Sequence, residues 1–306
     1  MNIRIGIIGT GSMGRNHLRV ADSIPEFELT CSSDISPNNL SAGTSGYDIK
    51  KFVDYKEMPD YVDAVMVSTP TTFHYPIAKY FIEKGKSVLV EKPFTTTLEE
   101  ADELIAIAKD KGVKIAVGHL ERFNPAVEYI QDYIKKPLFI EIQRLGSFSP
   151  RSLDVDVIND LMIHDLDIIL QWDNSGIERI NASGIPVISK KLDIANARIE
   201  FKSGLVANIT ASRISQKKTR KLRIFQKNGY FSVDYKKKSV KVYRIGGTEI
   251  NEEIPDIPDI EPLFNLWNNF YKTLNNGKNY NVTGEDGRDA LELAEMVSKS
   301  IKDIEV

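Results

Sequence analysis

The chain has 306 residues, more than one hydrophobic core usually holds, so two domains are expected. With 42% apolar and 27% charged residues and a net charge of −3, it suits a globular protein and lacks the charge excess of a general nucleic-acid or membrane-surface binder. Its one cysteine, Cys31, excludes an internal disulfide, reads as a small core residue, and suits the reducing cytoplasm, where the protein is expected to reside. Glycines interrupt the first apolar run, so it predicts a strand rather than a signal peptide. No run approaches the roughly 18 apolar residues of a membrane span.

In chain order, residues 3–9 (IRIGIIG) predict a buried strand and 12–22 a helix. FELTCSSD at 27–34 and DAVMVSTP at 63–70 predict further strands. HYPIAKYFIEKG at 74–85 has helical spacing and a glycine stop, and SVLVEKP at 87–93 is a strand ending at a proline. TLEEADELIAIAKDKG at 97–112 is a helix marked at both ends: Thr97 and Glu100 make a capping-box pattern, and Gly112 follows the last turn. KIAVGH at 114–119 is again strand. Strands alternating with helices imply right-handed crossovers and a parallel sheet, so residues 1–120 are expected to form a doubly wound, Rossmann-type α/β domain.

After about residue 120 the rhythm changes. Helical spacing recurs at 125–135 and 157–172, while runs at 138–145, 178–188, 194–201, 205–212, 219–226, 230–235 and 239–245 predict strands. KSG at 202–204 and KNG at 227–229 are short hairpin connections. Residues 121–306 are therefore expected to form an α+β domain with a large, mainly antiparallel sheet, apolar on one face. The prolines of IPDIPDIEP at 254–262 predict an extended connector to two last helices, 263–275 and 285–303, free to pack back on the first domain. The basic run at 213–223 reads as solvated strand and turn, and no nucleic-acid partner is expected.

Gly9-Thr10-Gly11-Ser12-Met13-Gly14 ends the first strand and opens the first helix. The first glycine permits a tight turn, the second removes a Cβ that would block a pyrophosphate, and the third lets the helix approach the sheet. The helix N-terminus offers that anion unpaired N–H groups and partial positive charge. Asp34 lies twenty positions beyond Gly14, at the end of the second predicted strand. A carboxylate there accepts bonds from the adenosine ribose hydroxyls and repels a 2′-phosphate, which predicts NAD rather than NADP.

Glu91-Lys92-Pro93 ends a predicted parallel strand, at the edge where open α/β sheets bind ligands. Lys92 there can hold a substrate hydroxyl and stabilise the alkoxide that develops as hydride leaves carbon. Taken alone, it also fits an ordinary surface lysine. Further on, Asp160, His164 and Asp167 are spaced i, i+4 and i+7, a polar stripe on a helix flanked by Leu161, Ile163, Leu166, Ile168 and Ile169. Such an apolar helix is partly buried, so the stripe needs partners or a cavity. A histidine with an ordinary pKa of about 6.5 suits removal of a hydroxyl proton near neutral pH; a hydrogen-bonded core histidine is the alternative. His17, His74 and His119 show no ligand spacing, and no metal is expected.

Together these motifs resemble the Gfo/Idh/MocA family of nicotinamide-dependent sugar and inositol oxidoreductases. The match rests on Gly9-x-Gly11-x-x-Gly14, Ser68-Thr69-Pro70 followed by His74, Glu91-Lys92-Pro93, Arg122-Phe123-Asn124-Pro125 and Asp160-x-x-x-His164-x-x-Asp167, in family order over about half the chain. The resemblance implies that Lys92 and His164 are catalytic, with His164 as general acid/base, Lys92 on the reacting oxygen and Asp160 beside them. It implies that Thr10, Ser12 and Met13 with the loop glycines, Asp34, Ser68, Thr69, Pro70, His74, Glu91 and Lys92 hold NAD. Arg122, Asn124, Asn159 and Arg151 are expected near substrate; Arg122 and Arg151 are candidates for a substrate phosphate or, equally, for surface ion pairs. A homodimer or homotetramer through the C-terminal sheet is also implied.

Family members often carry glycines just before and within the Asp-to-His segment. Ile158, Asn159, Leu161 and Met162 stand there in this chain, and their bulk is expected to narrow the pocket against free sugars. The His-Asp-Leu-Asp form in a short chain is most similar to members that oxidise the 3-hydroxyl of UDP-N-acetylglucosamine and related sugar nucleotides. That similarity implies a 3-keto product on which a pyridoxal-phosphate aminotransferase can act. The residues by themselves reach only hydride transfer from a secondary alcohol. An inositol or free-sugar dehydrogenase, a biliverdin-reductase-like reductase, and an NAD-binding regulator without chemistry remain as alternatives.

Overall fold

The computed structural model describes residues 2–148, 155–227, 229–246, 249–276 and 282–301. The chain divides into two compact units, residues 1–120 with 261–288, and residues 121–260 with 289–306.

The first unit is built on a six-stranded parallel sheet. Its strands are β1 (Ile3–Ile8), β2 (Phe27–Ser33), β3 (Lys50–Phe52), β4 (Ala64–Val67), β5 (Ser87–Val90) and β6 (Ile115–Val117), in the order β3-β2-β1-β4-β5-β6. Every neighbouring pair is parallel, as the alternation of strands and helices requires. Strand order reverses between β1 and β4, which places the ends of those strands at the switch point of a doubly wound sheet. Val65, Met66, Val67, Val88, Leu89 and Val90 are fully buried, which explains their unbroken apolar runs. Cys31 is buried, and burial pushes its thiol up to about 11, so it is packing material and not a nucleophile.

Four helices join these strands: α1 (Ser12–Asp22), α2 (Pro37–Gly43), α3 (His74–Glu83) and α4 (Leu98–Lys111). The reciprocal cap of α4 forms between Thr97 and Glu100, and Gly112 takes the left-handed conformation just past its end. Neither α2 nor β3 was expected from the sequence.

The second unit holds α5 (Pro125–Gln131), β7 (Pro137–Leu145), a π-helical turn (Ile158–Met162), α6 (Ile163–Trp172) and seven more strands. These are β8 (Ile177–Ile185), β9 (Ile194–Phe201), β10 (Val206–Ser212), β11 (Thr219–Gln226), β12 (Gly229–Asp234), β13 (Ser239–Gly246) and β14 (Glu249–Glu253). They form one sheet in the order β14-β13-β12-β11-β7-β10-β9-β8, antiparallel except where β7 meets β10 in parallel. One face is apolar: Ile140, Ile142, Ile199, Ile209, Leu222 and Ile224 pack with Ile163, Leu166 and Ile169 of α6. The other face carries a row of rings, Phe139, Phe225, Tyr230 and Tyr243, in contact across β7, β11, β12 and β13.

Two helices close the chain. α7 (Pro262–Asn276) belongs to the first unit; α8 (Gly284–Ser300) belongs to it through Arg288 and to the second from Asp289. α7 packs on α1, with Trp267 edge-on to Phe27 and Glu261 paired to Arg19 at 2.6 Å. The strand expected over 178–188 ends at Ile185, because the N–H groups of Val187, Ile188 and Ser189 turn instead onto Asp193 Oδ2. The helix expected over 125–135 ends at Gln131, with Asp132 as its C-cap and the N–H groups of Tyr133 and Ile134 both turned back onto Ile130 O. No helix of the described residues is long and apolar enough to cross a membrane.

Candidate active site

The glycine loop joins β1 to α1. Gly9 has φ +85°, and a Cβ there would lie 2.5 Å from the Ser68 carbonyl oxygen. A Cβ on Gly14 would overlap the Gly9 carbonyl, so Gly14 is what lets α1 sit on the sheet. Gly11 differs: a Cβ there would meet no protein atom within 4 Å. The protein's own packing does not require that glycine, so the space is left for a ligand.

α1 also starts with no side-chain cap at Gly11, and Ser12 and Met13 are exposed beside it. The buried hydroxyl oxygens of Ser68 and Thr69, at the end of β4, have no hydrogen-bond partner in the protein. An uncapped helix N-terminus, an unfilled cradle and two orphaned hydroxyls suit the phosphates and ribose of a dinucleotide. Pro70 follows them at the surface, ahead of a short 3₁₀ turn at Thr71–Phe73.

Asp34 caps this loop. Its Oδ2 accepts from Thr10 N at 2.8 Å and Thr10 Oγ1 at 3.1 Å, and Oδ1 accepts from Ser36 N at 2.9 Å. α2 closes over the loop: a Cβ on Gly43 would lie 2.6 Å from Thr10 Cβ. The half-buried carboxylate is thus held in one orientation at the end of β2, where a ribose is read in this fold.

The turn after β5 carries Glu91, Lys92 and Pro93, with a cis Lys92–Pro93 peptide. Lys92 is half-buried. Two residues expected to line the cofactor have their polar atoms engaged inside the protein. Glu91 Oε1 accepts from His17 Nε2 at 2.8 Å, and its Oε2 accepts from Lys92 N at 3.2 Å. Burial acts to raise its pKa, but His17 and the charges of Lys92 and His74 outweigh it and hold it below the ordinary glutamate value. His74 has Nδ1 2.9 Å from Pro93 O and Nε2 2.9 Å from Thr69 O. Burial holds its pKa below the ordinary value, against the opposing pull of those carbonyls.

In the second unit, Asp160 sits in the π-helical turn and His164 in the first turn of α6, both half-buried while most of their neighbours are fully buried. Asn159 is tied to Asp156, whose Oδ1 accepts from its N at 2.8 Å and its Nδ2 at 3.3 Å. Val155 and Val157 anchor the entry to this turn: Arg213 Nη1 donates to Val155 O at 2.8 Å, and Val157 N donates to Leu192 O at 3.0 Å.

Several expectations for this segment change. Ile158 and Met162 do not narrow a pocket: both are fully buried in the core, because apolar side chains on this turn gain most by leaving water. Asp167 leaves the polar stripe to meet Arg122, whose Nε and Nη2 donate to its two carboxylate oxygens at 2.8 and 2.7 Å. Both groups are buried, so Arg122 is neither a surface ion pair nor open to a substrate phosphate through those nitrogens. A carboxylate inside an apolar helix needs a cation, and Arg122 supplies it.

Next to it, Arg144 donates to Asp165 at 2.8 and 2.7 Å and to Glu121 at 2.7 Å. Burial acts to lower the Arg144 pKa, but the two carboxylates outweigh it and hold it well above the ordinary value. Asn124 caps α5 by accepting from Ala126 N at 3.1 Å, and its Nδ2 donates to Tyr235 O at 3.1 Å. Arg151 lies outside the described residues. Among the described residues, no three His, Cys, Asp or Glu side chains gather as a metal site.

From the sequence, His17 was considered only as a metal ligand, and Gly43, Gly118 and Trp267 were given no role. His17 lies on the buried face of α1, three positions beyond Gly14, and a polar ring at a buried helical position was the available signal.

Two family models match the chain. One describes an oxidoreductase family's NAD-binding Rossmann fold, over residues 3–119; the other describes that family's C-terminal alpha/beta domain, over residues 159–305. A UDP-N-acetylglucosamine 3-dehydrogenase of Acidithiobacillus ferrooxidans is 36% identical over 262 residues, covering 85% of this chain and 82% of the relative. A scyllo-inositol 2-dehydrogenase (NAD(+)) of Bacillus subtilis is 28% identical over 232 residues, covering 70% and 68%. The solved structure of the A. ferrooxidans enzyme GnnA superposes with a TM-score of 0.94 at 32% identity over 98% of each chain. Levoglucosan dehydrogenase in complex with NADH and levoglucosan shares the fold, with a TM-score of 0.88 at 19% identity over 98% of this chain and 97% of that one.

Proposed function

The chain belongs to the Gfo/Idh/MocA oxidoreductases and carries their NAD-binding Rossmann domain, and on that premise we propose that it oxidises the 3-hydroxyl of UDP-N-acetylglucosamine to the 3-keto sugar nucleotide. The observation that carries this reading is the likeness to GnnA, which extends over 98% of both chains and both domains.

NAD, when bound, supplies the hydride acceptor. Gly9 to Gly14, Ser68 and Thr69 would hold it, and Asp34 would take its ribose. Lys92 holds the reacting oxygen, and its ammonium offsets the negative charge that grows there as the C–H bond breaks. His164 accepts the hydroxyl proton and passes it to water. Asp160 and Asn159 orient the sugar. The two electrons leave with the hydride and the proton leaves through His164, so alcohol becomes ketone with nothing left over.

The row of rings on the outer face of the second sheet supports a homodimer or homotetramer built through that face. A single buried cysteine supports a cytoplasmic location. A 3-keto sugar nucleotide is a substrate type for a pyridoxal-phosphate aminotransferase, which would draw the reaction forward. A second reading, oxidation of inositol or a free sugar, is favoured by the likeness to the scyllo-inositol enzyme.

The test is NADH absorbance with NAD and UDP-N-acetylglucosamine in the presence of a ketone trap, beside a panel of inositols and hexoses. Turnover of the sugar nucleotide alone supports the first reading. Turnover only of a polyol would replace it with the second.

A further inference from the structure

Two buried histidines that the proposed reaction does not use lie on either side of Lys92. His17 is fully buried and His74 is 1% exposed. On one side, His17 Nε2 lies 2.8 Å from Glu91 Oε1, and the indole N–H of Trp267 donates to His17 Nδ1 at 3.1 Å. Indole nitrogen only donates, so Nδ1 is the acceptor and the ring's proton sits on Nε2, aimed at Glu91. Glu91 in turn accepts from the backbone N–H of Lys92 at 3.2 Å. Gly118 makes room for this carboxylate: a Cβ there would lie 3.3 Å from Glu91 Cα, Cδ and Oε2. On the other side, His74 has Nδ1 2.9 Å from the carbonyl oxygen of Pro93 and Nε2 2.9 Å from that of Thr69; a neutral ring carries one N–H, and the bond to Pro93 takes it on Nδ1.

A lysine side chain swings on four rotatable bonds, so its ammonium is placed no better than the backbone it grows from. Lys92 sits on a turn, which on its own would be mobile. Here the residue before it is gripped from α1 and α7, and the residue after it from α3.

We propose that His17, with its tautomer set by Trp267, and His74 are positioning residues for Lys92, acting through the Glu91 carboxylate and the Pro93 carbonyl. This rests on the reading that Lys92 holds the reacting oxygen.

Amide isosteres test it, because glutamine presents an N–H where Nε2 stood and asparagine where Nδ1 stood. At position 17 the needed bond is from Nε2. His17→Gln keeps kcat within about threefold, while His17→Asn lowers it about tenfold or more, with the NAD dissociation constant moving less than threefold. At position 74 the order reverses: His74→Asn keeps an N–H on Pro93 and most of kcat, and His74→Gln, which presents its N–H to Thr69 instead, does not. Trp267→Phe removes the indole N–H together with part of a fully buried ring, frees the His17 tautomer and lowers kcat several-fold. In the His17→Gln background, where no tautomer is left to set, the same change lowers kcat less.

Equal kcat for the Gln and Asn variants at each position overturns the proposal, as does a loss confined to NAD affinity. If His17→Asn does not fold, Trp267→Phe in the two backgrounds decides, and equal effects there overturn it. Lys92→Ala is the control for the underlying reading. Turnover by Lys92→Ala rejects that reading, whereas a dead Lys92→Ala beside indifferent histidine variants rejects only the positioning role.

Discussion

The Asp34 carboxylate takes two hydrogen bonds from one residue, Thr10, at 2.8 Å from its N–H and 3.1 Å from its hydroxyl. The negative charge proposed to select the ribose therefore also shapes the glycine loop. Asp34→Ala should weaken NAD binding by about tenfold, the scale of a charged hydrogen bond, and bring NADP closer to NAD in affinity. Dissociation constants for both nucleotides check this. An enzyme that prefers NADP before mutation contradicts it.

The three loop glycines should fail differently when given a methyl group. Gly14→Ala collides with the Gly9 carbonyl and should cost stability, about 3 kcal/mol or more. Gly11→Ala meets no protein atom, so its melting temperature should stay unchanged while NAD affinity drops. Thermal melts paired with NAD titration separate the two outcomes.

This contrast also marks what the sequence made legible. Short-range patterns were readable: the glycine loop, the Thr97–Glu100 cap and the Glu91-Lys92-Pro93 turn each spell their geometry within a few residues. α2 was not, because PNNLSAG has one buried leucine and no apolar period. β14 (EINEE) is an exposed polar edge strand with no apolar face to betray it. The π-helical turn shifts the register expected for Asp160 against α6. The partners of the buried charges lay far off in sequence: Arg122 is 45 positions from Asp167, and Trp267 is 250 from His17. Pairings at that range are fixed by the fold and leave no local trace.

Acid should destabilise the protein in two stages. The folded-state pKa of His74 lies below its ordinary value of 6.5, chiefly through burial, so the unfolded chain takes up that proton first. Its contribution is present above pH 6.5 and is lost as pH falls through the folded pKa. Glu91, lowered from 4.5 by His17, contributes above that value and loses its contribution as pH falls through its own folded pKa. Urea titrations at stepped pH should show the first limb vanish in His74→Asn and the second shrink in Glu91→Gln.

Removing one half of the Arg122–Asp167 pair leaves a buried charge alone. Arg122→Met should therefore cost about 3–5 kcal/mol, and adding Asp167→Leu should recover most of it. A double-mutant cycle in urea measures both. Recovery absent from the double variant would show that the cost was packing rather than charge.

In the proposed reaction hydride leaves carbon 3 of a sugar nucleotide. UDP-N-acetylglucosamine deuterated at that carbon, incubated with the protein, NAD and a ketone trap, puts this to a direct test. Mass spectrometry should find one deuterium in the reduced cofactor and a 3-keto product, with formation slowed relative to the unlabelled substrate when the chemical step limits. Reduced cofactor that carries no deuterium, or a ketone at another carbon, would show that the hydride does not come from carbon 3.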